Sequence, residues 1–187
     1  MIMNKGEKSS KEKRKEAISL IFYVIFVIAA TFLIVHYVGQ RTEVSGWSMY
    51  PTLEDKDNLI VDKISYRFTD PKRYDIIVFP YAYEEKTYYI KRIIGLPGES
   101  VQVIDGYVYI NGKQLDEHYG REVMNFAGLA QEELTLGADE YFVLGDNRND
   151  SSDSRDPSVG ILKRQDIIGR AFIRIWPFSR FGRLKHE

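Results

Sequence analysis

The sequence of 187 residues contains no cysteine. This absence excludes disulfide bonds, thiolate catalysis and zinc sites built on cysteine. The chain also lacks a strong charge of either sign, because its formal net charge at pH 7 is −1. With 44% hydrophobic and 28% charged residues, this is the composition of a globular protein. It argues against a nucleic-acid-binding or disordered chain.

Histidine is scarce, with His36, His118 and His186 as the only three. A Ser-His-Asp triad needs a histidine that reaches both a serine and an acidic residue, and none of the three lies in a sequence context typical of such a site. His36 lies in an apolar run, where an interfacial side chain is a simpler interpretation than a proton relay. The sequence therefore argues against a triad, and a catalytic serine would need a different base.

Charged side chains are absent from residues 18–38, a run of about the 20 residues that a helix needs to cross a bilayer core. A buried core helix would carry polar residues along one face, whereas the run contains only Ser19, Thr31 and His36. A cleaved secretory signal has a shorter apolar region and ends in a small-residue cleavage site. Because no Ala-x-Ala sequence follows here, we predict an uncleaved signal-anchor.

The charges that flank this run predict its orientation. Residues 1–17 are polar and disordered in character, and their basic side chains are Lys5, Lys8, Lys11, Lys13, Arg14 and Lys15. After the run, Arg41 is the only basic residue for about 15 positions. The positive-inside rule then makes residues 1–17 a cytoplasmic basic tail and 18–38 the transmembrane anchor. Residues 39–187 form an extracytoplasmic domain, which is long enough for a sizeable core.

After Thr52 the sequence changes to short β-branched and aromatic runs separated by turn residues, a pattern typical of an all-β sandwich or barrel. The predicted strands are 58–61, 75–79, 88–94, 100–104, 107–110, 141–144 and 168–176. Asp105-Gly106 and Asn111-Gly112 are two-residue hairpin turns, so residues 101–115 are predicted to form a tight meander. Residues 121–136 show no strand pattern and are predicted to be irregular.

A serine between the anchor and the β domain is the candidate for chemistry. Ser48 lies in the sequence Gly46-Trp47-Ser48-Met49-Tyr50-Pro51, where glycine and proline mark a loop around large apolar side chains. A serine hydroxyl is a weak nucleophile unless a neighbouring base takes its proton. The rest of the chain must therefore supply that base.

Lys91 is the candidate base, because it lies in the apolar strand predicted at 88–94. Burial disfavours the ammonium form and lowers the pKa of a lysine. The two-residue period of a strand places Lys91 on one face with Tyr89 and Ile93, and Arg92 on the other. The alternative is an edge strand, from which the lysine would reach solvent.

The polar segment 145–157 follows the apolar strand at 141–144. A solvated loop is the simplest interpretation of its composition. A calcium-binding loop is a second interpretation. The spacing of its acidic residues does not match the pattern of such loops, and Arg148 and Arg155 occupy positions where ligands should stand. In a third, carboxylates pair with arginines, and free hydroxyls orient a neighbouring amine.

Together these stretches resemble the type I signal (leader) peptidases of bacteria. Residues 45–53 are similar to the nucleophile box of that family, 74–79 to its structural strand, 89–99 to its lysine box and 145–155 to its last box. The four segments occur in the family's order after one membrane anchor. The resemblance covers residues from about 18 to 177.

The resemblance implies a mainly β catalytic domain outside the cytoplasmic membrane, of barrel or sandwich type, that removes signal peptides from secretory preproteins after Ala-x-Ala sequences. It implies Ser48 as nucleophile and Lys91 as general base. The other implied residues are Ser151, whose hydroxyl bonds the lysine amine, Asp153 and Arg155 as paired supporting charges, and Gly145 as a small residue near the site. No metal or other cofactor is implied.

Gly46 departs from the Gram-negative pattern, in which a serine at this position donates its hydroxyl to the oxyanion. The backbone N–H of Ser48 is still expected to donate, and the sequence leaves the second donor open. Gly46 instead resembles the Gram-positive branch, as do the single anchor and the absent cysteines. Residues 105–140 would then be a small inserted β subdomain, a reduced form of the variable second domain of the family.

Trp47, Met49 and Tyr50 are predicted to contact membrane lipid or the substrate. The C-terminal segment 176–186 interleaves aromatic and basic residues, which fits a membrane–water interface and fits a plain edge strand equally well. Two other functions remain open: a membrane-anchored β domain that binds a partner, and a Ser/Lys peptidase of different specificity, such as a self-cleaving regulator. The sequence predicts no nucleic-acid partner and gives no indication of an oligomeric state.

Overall fold

The computed structural model describes residues 5–33, 39–81, 87–120 and 122–186, with side chains from residue 12 onward. The chain divides into two compact units, residues 1–39 and residues 40–187. Each unit has its own architecture. Residues 5–33 of the first form one helix, and the second is built from β-strands.

The helix α1 spans Lys5–Leu33, and its part Glu12–Leu33 is long and apolar enough to cross a membrane. The expectation of a disordered tail is wrong for residues 5–17, because these residues continue the helix. Once the apolar run has nucleated a helix, each further residue gains a hydrogen bond, and Lys, Glu and Ala extend helices readily. Residues 34–38 of the predicted span, including His36, lie outside the described residues.

The second unit contains two antiparallel sheets. In the described residues its strands are β1 (Gly39–Glu43), β2 (Asn58–Asp62), β3 (Ile76–Pro80), β4 (Tyr88–Gly95), β5 (Ser100–Ile104), β6 (Tyr107–Ile110), β7 (Lys113–Gln114), β8 (Leu134–Thr135), β9 (Glu140–Leu144), β10 (Leu162–Lys163), β11 (Gly169–Trp176) and β12 (Gly182–Arg183). The large sheet has the order β1-β2-β11-β3-β4-β9-β10, with β12 paired to β11, and the small sheet has the order β7-β6-β5-β8. The prediction of a mainly β domain is confirmed.

The large sheet is buried on both faces where it passes β3. Ile76 and Val78 belong to the core cluster on one face, and Ile77 and Phe79 to the cluster on the other. This double burial explains why β3 is apolar at every position instead of at alternate ones. A third cluster joins the small sheet to the large one, with Val101 and Val108 packed together with Phe142.

The predicted strands all occur, and the hairpin turns have the expected backbone. Asp105 and Gly106 have φ of 50° and 80°, and Asn111 and Gly112 have φ of 51° and 73°, as two-residue turns require. One expectation is wrong within residues 121–136. Leu134–Thr135 forms β8, which pairs with β5, and a strand of two residues is too short to show a period in the sequence.

The C-terminal segment contains an edge strand, since β12 pairs with β11. Leu184 then enters the core, while Trp176, Phe178 and Phe181 remain exposed. Arg180 binds Asp57. The strand interpretation of residues 182–183 is thereby confirmed, and the membrane-interface interpretation stays a prediction.

Candidate active site

The tight turn that carries Ser48, residues 46–50, is here named the serine turn. It closes through a hydrogen bond from the Tyr50 N–H to the Trp47 carbonyl, 3.0 Å long. Gly46 has a φ of 87°, which a glycine adopts without strain, and its N–H donates to Asp55 Oδ1 at 2.9 Å. Met49 is buried in the core. The turn is therefore anchored to the domain while Ser48 itself stays half-buried.

Lys91 lies in β4 directly beside the serine turn. Its Nζ donates a hydrogen bond to Ser48 Oγ at 2.7 Å, and the residue is 3% exposed. β4 is an interior strand between β3 and β9, so the edge-strand alternative is wrong. Ile77 of β3 is the register partner of Lys91, and β9 pairs with β4 from Arg92 onward. The loop that leaves β9 therefore starts close to Lys91.

Burial lowers the pKa of Lys91 to about 8, although the nearby carboxylates of Asp153 and Asp146 raise it. Each of these carboxylates has an arginine partner. Asp146 accepts from Arg92 Nε and Nη2 at 2.8 and 2.7 Å, and Asp153 accepts from Arg155 Nε and Nη2 at 2.8 Å each. Since both acids are paired in this bidentate way, their charge does not outweigh the desolvation of the amine.

The loop 145–155 holds both acids and contacts the serine turn. Gly145 lies closest, because a Cβ at this position would be 2.4 Å from the Ser48 carbonyl oxygen and 2.2 Å from Ser151 Oγ. The Gly145 N–H donates to Asp153 Oδ2 at 3.0 Å. The Asn147 N–H donates to the Ser48 carbonyl at 3.0 Å. This arrangement agrees with the third interpretation of the segment, in which carboxylates pair with arginines beside the amine.

Replacing Gly145 with alanine is expected to slow any reaction in which Ser48 is the nucleophile by about 10- to 100-fold, because a misplacement of about 1 Å at a reacting group has an effect of this size. The added methyl group would displace the Ser48 carbonyl or the Ser151 hydroxyl. Overpacking of this kind also costs about 1–3 kcal/mol of folding free energy. Gly169→Ala in β11 is the matched control, since its Cβ would also meet a backbone carbonyl oxygen at 2.4 Å, that of Asp62, and touches no part of the serine turn. Equal activity of the two variants would contradict this account.

Ser151 differs from its expected geometry. Its Oγ is buried and has no hydrogen-bond partner among the residues that the structure describes, while the Lys91 amine donates to Ser48. The expected hydrogen bond between Ser151 and Lys91 is therefore absent from the structure. Ser151 still lies at the site, since its side chain lines the same groove as Ser48 and Lys91.

The apolar side chains of the serine turn have different environments. Trp47 is 50% exposed, and its ring packs edge-on against Tyr50 at 5.9 Å. Met49 is only 2% exposed and belongs to a core cluster with Leu53 and Ile90. The expectation that Met49 contacts lipid is thus wrong, because the turn directs this side chain into the domain. Met49 does line the groove beside Ser48, so its contact with the substrate stays a prediction.

An open groove of about 720 Å³ runs past Ser48. Its walls are residues 42–49, residues 87–91 and residues 149–152. The Ser48 N–H faces no hydrogen-bond acceptor among the described residues. A serine hydroxyl, a lysine that is neutral slightly above pH 8 and a free backbone N–H therefore meet in one cleft, which suits nucleophilic attack on a carbonyl.

The two histidines in the described part of the chain do not take part in this arrangement. His118 is exposed, and His186 Nδ1 accepts a hydrogen bond from the Ile76 N–H. Within the described part of the chain, acidic residues and histidines form no cluster of three that could hold a metal ion.

Sequence reasoning missed three residues of the site, namely Arg92, Asp146 and Asn147. Arg92 is fully buried and also stacks on the Tyr119 ring at 3.6 Å. A charged residue inside an apolar strand was the available signal for Arg92. Its partner Asp146 is 54 positions away along the chain, and nothing in the local sequence identifies it.

Comparison with known proteins gives consistent matches. A family model described as "Signal peptidase, peptidase S26" matches residues 14–176. Signal peptidase I of Leptolyngbya laminosa is 45% identical over 155 residues, which are 79% of this chain and 74% of the relative. Signal peptidase I P of Bacillus subtilis subsp. natto is 35% identical over 184 residues, 94% of this chain and 98% of the relative. A crystal structure of a signal peptidase I from Enterococcus faecalis V583 has 37% identity and a TM-score of 0.46, covering 55% of this chain and 97% of that one.

Proposed function

The chain belongs to the S26 family of signal peptidases, and we propose that it cleaves preproteins with Ser48 as the nucleophile and Lys91 as the general base. Membership makes it a serine peptidase of the type I class, which acts on signal-peptide-bearing preproteins. The observation that carries the proposed dyad is the 2.7 Å hydrogen bond from Lys91 Nζ to Ser48 Oγ. Burial of the amine, which lowers its pKa to about 8, supports its role as base.

In the proposed acylation step, neutral Lys91 accepts the proton of Ser48 as Oγ bonds to the scissile carbonyl carbon. The carbonyl electrons move onto oxygen, and the Ser48 N–H donates to the resulting oxyanion. Collapse of this intermediate breaks the C–N bond. The ammonium of Lys91 returns its proton to the leaving amine, which becomes the N-terminus of the mature protein.

Deacylation repeats the same proton transfers with water. Lys91 takes a proton from the water as its oxygen bonds to the ester carbonyl carbon, and the C–Oγ bond then breaks. The ammonium of Lys91 returns the proton to Ser48 Oγ, and the signal peptide leaves with a new C-terminal carboxylate. Gly145, Asp153 and Arg155 support the dyad through the contacts of the loop 145–155. Ser151 is the proposed orienting residue for the lysine amine. The Gly46 N–H is engaged with Asp55, so it supplies no second oxyanion donor in this geometry.

Specificity for Ala-x-Ala is proposed to arise from the floor of the groove. Val44 and Ile90 line it and are themselves buried, so the apolar subsites are shallow. A large side chain next to the scissile bond would clash with this floor, and rejection by clash is an effective source of specificity.

The proposed location is the cytoplasmic membrane, with residues 18–38 as the single span. Residues 1–17 lie in the cytoplasm, and residues 39–187, including the proposed insertion 105–140, lie outside. The charge asymmetry around the apolar run supports this orientation. Trp47 and Tyr50 are the proposed lipid contacts, since Trp47 is half exposed and such rings suit the membrane interface.

The test uses the full chain in detergent micelles and a preprotein that ends its signal peptide in Ala-x-Ala. Cleavage at that bond is expected, and a preprotein with phenylalanine in place of the last alanine is expected to stay intact. Cleavage of both preproteins at equal rates would contradict the proposed specificity. Cleavage of neither, together with self-cleavage of the enzyme, would favour a peptidase of different specificity.

A further inference from the structure

The peptide unit that joins Trp47 to Ser48 carries the proposed oxyanion donor, the Ser48 N–H. A peptide unit is planar and trans, so its C=O and N–H point in opposite directions. Whatever fixes the Trp47 carbonyl therefore also fixes the direction of the Ser48 N–H. Two donors hold this carbonyl: the Tyr50 N–H at 3.0 Å and Asn147 Nδ2 at 3.2 Å.

Asn147 also holds the next peptide unit. Its own N–H donates to the Ser48 carbonyl at 3.0 Å. One residue therefore binds the carbonyl before Ser48 with its side chain and the carbonyl of Ser48 with its backbone. These two hydrogen bonds constrain the peptide planes on either side of Ser48. The Tyr50 bond belongs to the serine turn itself, whereas both Asn147 bonds come from a different part of the chain.

Asn147 is itself firmly placed. It is 7% exposed, and its carbonyl accepts from the Asp150 N–H at 3.0 Å. The preceding residue, Asp146, is tied to Arg92 in an ion pair whose two side chains are fully buried. Arg92 follows Lys91 in β4, so the same short segment is anchored on the strand that carries the proposed base.

We infer that Asn147 is a positioning residue, which aims the Ser48 N–H at the oxyanion by holding the Trp47 and Ser48 carbonyls. The inference rests on the proposed function, because it assigns Asn147 a part in the same acyl transfer. A donor stabilises an oxyanion only when it is held about 2.7–3.1 Å from the place where the charge develops. Asn147 acts through the peptide plane and touches neither reacting atom.

This role differs from that of the residues around Lys91. Among the described residues, no hydrogen bond joins Asn147 to Lys91 or to Ser48 Oγ. Loss of the Asn147 side chain is therefore expected to slow acyl transfer and to leave the pH at which Lys91 titrates unchanged. If Asn147 had only a structural role, its loss would lower the stability of the protein. It would not slow acyl transfer specifically while the pH of Lys91 titration stays unchanged.

The experiment compares Asn147→Ala and Asn147→Asp with wild type in the full chain. Asn58→Ala is the matched control, because the amide of Asn58 is also buried and also donates to a backbone carbonyl, that of Lys56, at 3.0 Å. Two rates are measured: cleavage of an Ala-x-Ala preprotein, with kcat and KM separated, and acylation of Ser48 by a p-nitrophenyl ester, followed by mass spectrometry. Acylation by the ester needs the oxyanion donor but no preprotein.

For Asn147→Ala we expect kcat and the acylation rate to fall about 10- to 100-fold, less than the 10²–10³-fold effect of deleting an oxyanion donor outright. KM should stay within about twofold, and the midpoint of the pH profile should not move. For Asn147→Asp, kcat and the acylation rate should fall at least as far, since the carboxylate oxygen of the aspartate would face the Trp47 carbonyl oxygen. Asn58→Ala should keep the wild-type rates.

Rates within about twofold of wild type for either Asn147 variant would overturn the inference. So would an equal loss in Asn58→Ala, or a shifted pH midpoint in Asn147→Ala. If wild type is acylated at Ser48 but cleaves no preprotein, the proposed function fails while the acylation rates still decide the role of Asn147. If Ser48 of wild type is not acylated, both proposals are wrong.

Discussion

Replacing Lys91 with methionine is expected to slow preprotein cleavage by about 10³-fold, within the range of a lost general base. Methionine keeps the length and apolar body of the side chain but cannot accept the proton of Ser48. The hydrogen bond between Lys91 Nζ and Ser48 Oγ disappears with it. The measurement is kcat for an Ala-x-Ala preprotein with purified full-length protein in detergent.

The same replacement is expected to stabilise the folded protein at pH 7. The pKa of Lys91 is lowered from 10.5 to about 8 in the folded state, so the unfolded state binds more protons between these pH values. Wild-type stability therefore rises with pH across this interval. Below about pH 8 the folded state bears the full free-energy cost of burying the charged Lys91 ammonium. Relief of this penalty corresponds to about 3 kcal/mol of unfolding free energy, measurable by denaturant titration at pH 7.

Lys113→Met is the control for this pair of effects, since Lys113 is an exposed residue of β7. It should change neither activity nor stability beyond about 0.5 kcal/mol. The stability gain of Lys91→Met should shrink as the pH approaches 10.5. Full activity of Lys91→Met would rule out Lys91 as the base, and a loss of activity accompanied by lower stability at pH 7 would show that Lys91 serves folding instead.

Ser48→Ala is expected to have the largest effect on activity, a loss of about 10⁴-fold or more, because no acyl-enzyme can form without the nucleophile. The variant should remain folded, since Ser48 is only half-buried and its hydroxyl accepts a single hydrogen bond from Lys91. It should also still bind preprotein, because the groove walls are unchanged. Cleavage is measured under single-turnover conditions, and binding by retention of preprotein on the immobilised variant.

Ser154→Ala is the control that distinguishes loss of the nucleophile from loss of folding stability. Ser154 is fully buried, and its Oγ accepts a hydrogen bond from the Val143 N–H at 2.9 Å. Its removal leaves a buried donor unpaired, which costs about 1–3 kcal/mol, yet it should leave cleavage intact at a temperature where the protein is folded. Residual cleavage by Ser48→Ala at a rate similar to that of Ser154→Ala would contradict the assignment of the nucleophile.

The parts of the fold that could be predicted from sequence are those specified by neighbouring residues. Asn111-Gly112 specifies its turn because few other pairs adopt positive φ at both positions. β3 is recognisable because burial on both faces demands an apolar residue at every position. β8 and β10 have two residues each and exist only because an adjacent strand is present, so they carry no pattern of their own.

The candidate site divides in the same way. Lys91 could be found because a lysine in an apolar strand contradicts its surroundings, and Ser48 because a loop marks it. Pairs such as Arg92 with Asp146 depend on a close approach of distant segments, which composition and period do not encode. The buried position of Met49 follows from the direction of the serine turn. The hydroxyl of Ser151 does not pair with Lys91 because the lysine amine bonds to Ser48 instead.

The pH dependence of cleavage tests the central claim, that Lys91 acts as a neutral base on Ser48, most directly. The measurement is kcat/KM for an Ala-x-Ala preprotein between pH 5 and 10, which reports the titration of the free enzyme. Because the lowered pKa of Lys91 is about 8 and the deprotonated amine is the active form, kcat/KM should rise about tenfold per pH unit up to about 8 and level off above it. A profile that is flat from pH 6 to 9, or that falls as the pH rises through 8, would contradict the claim.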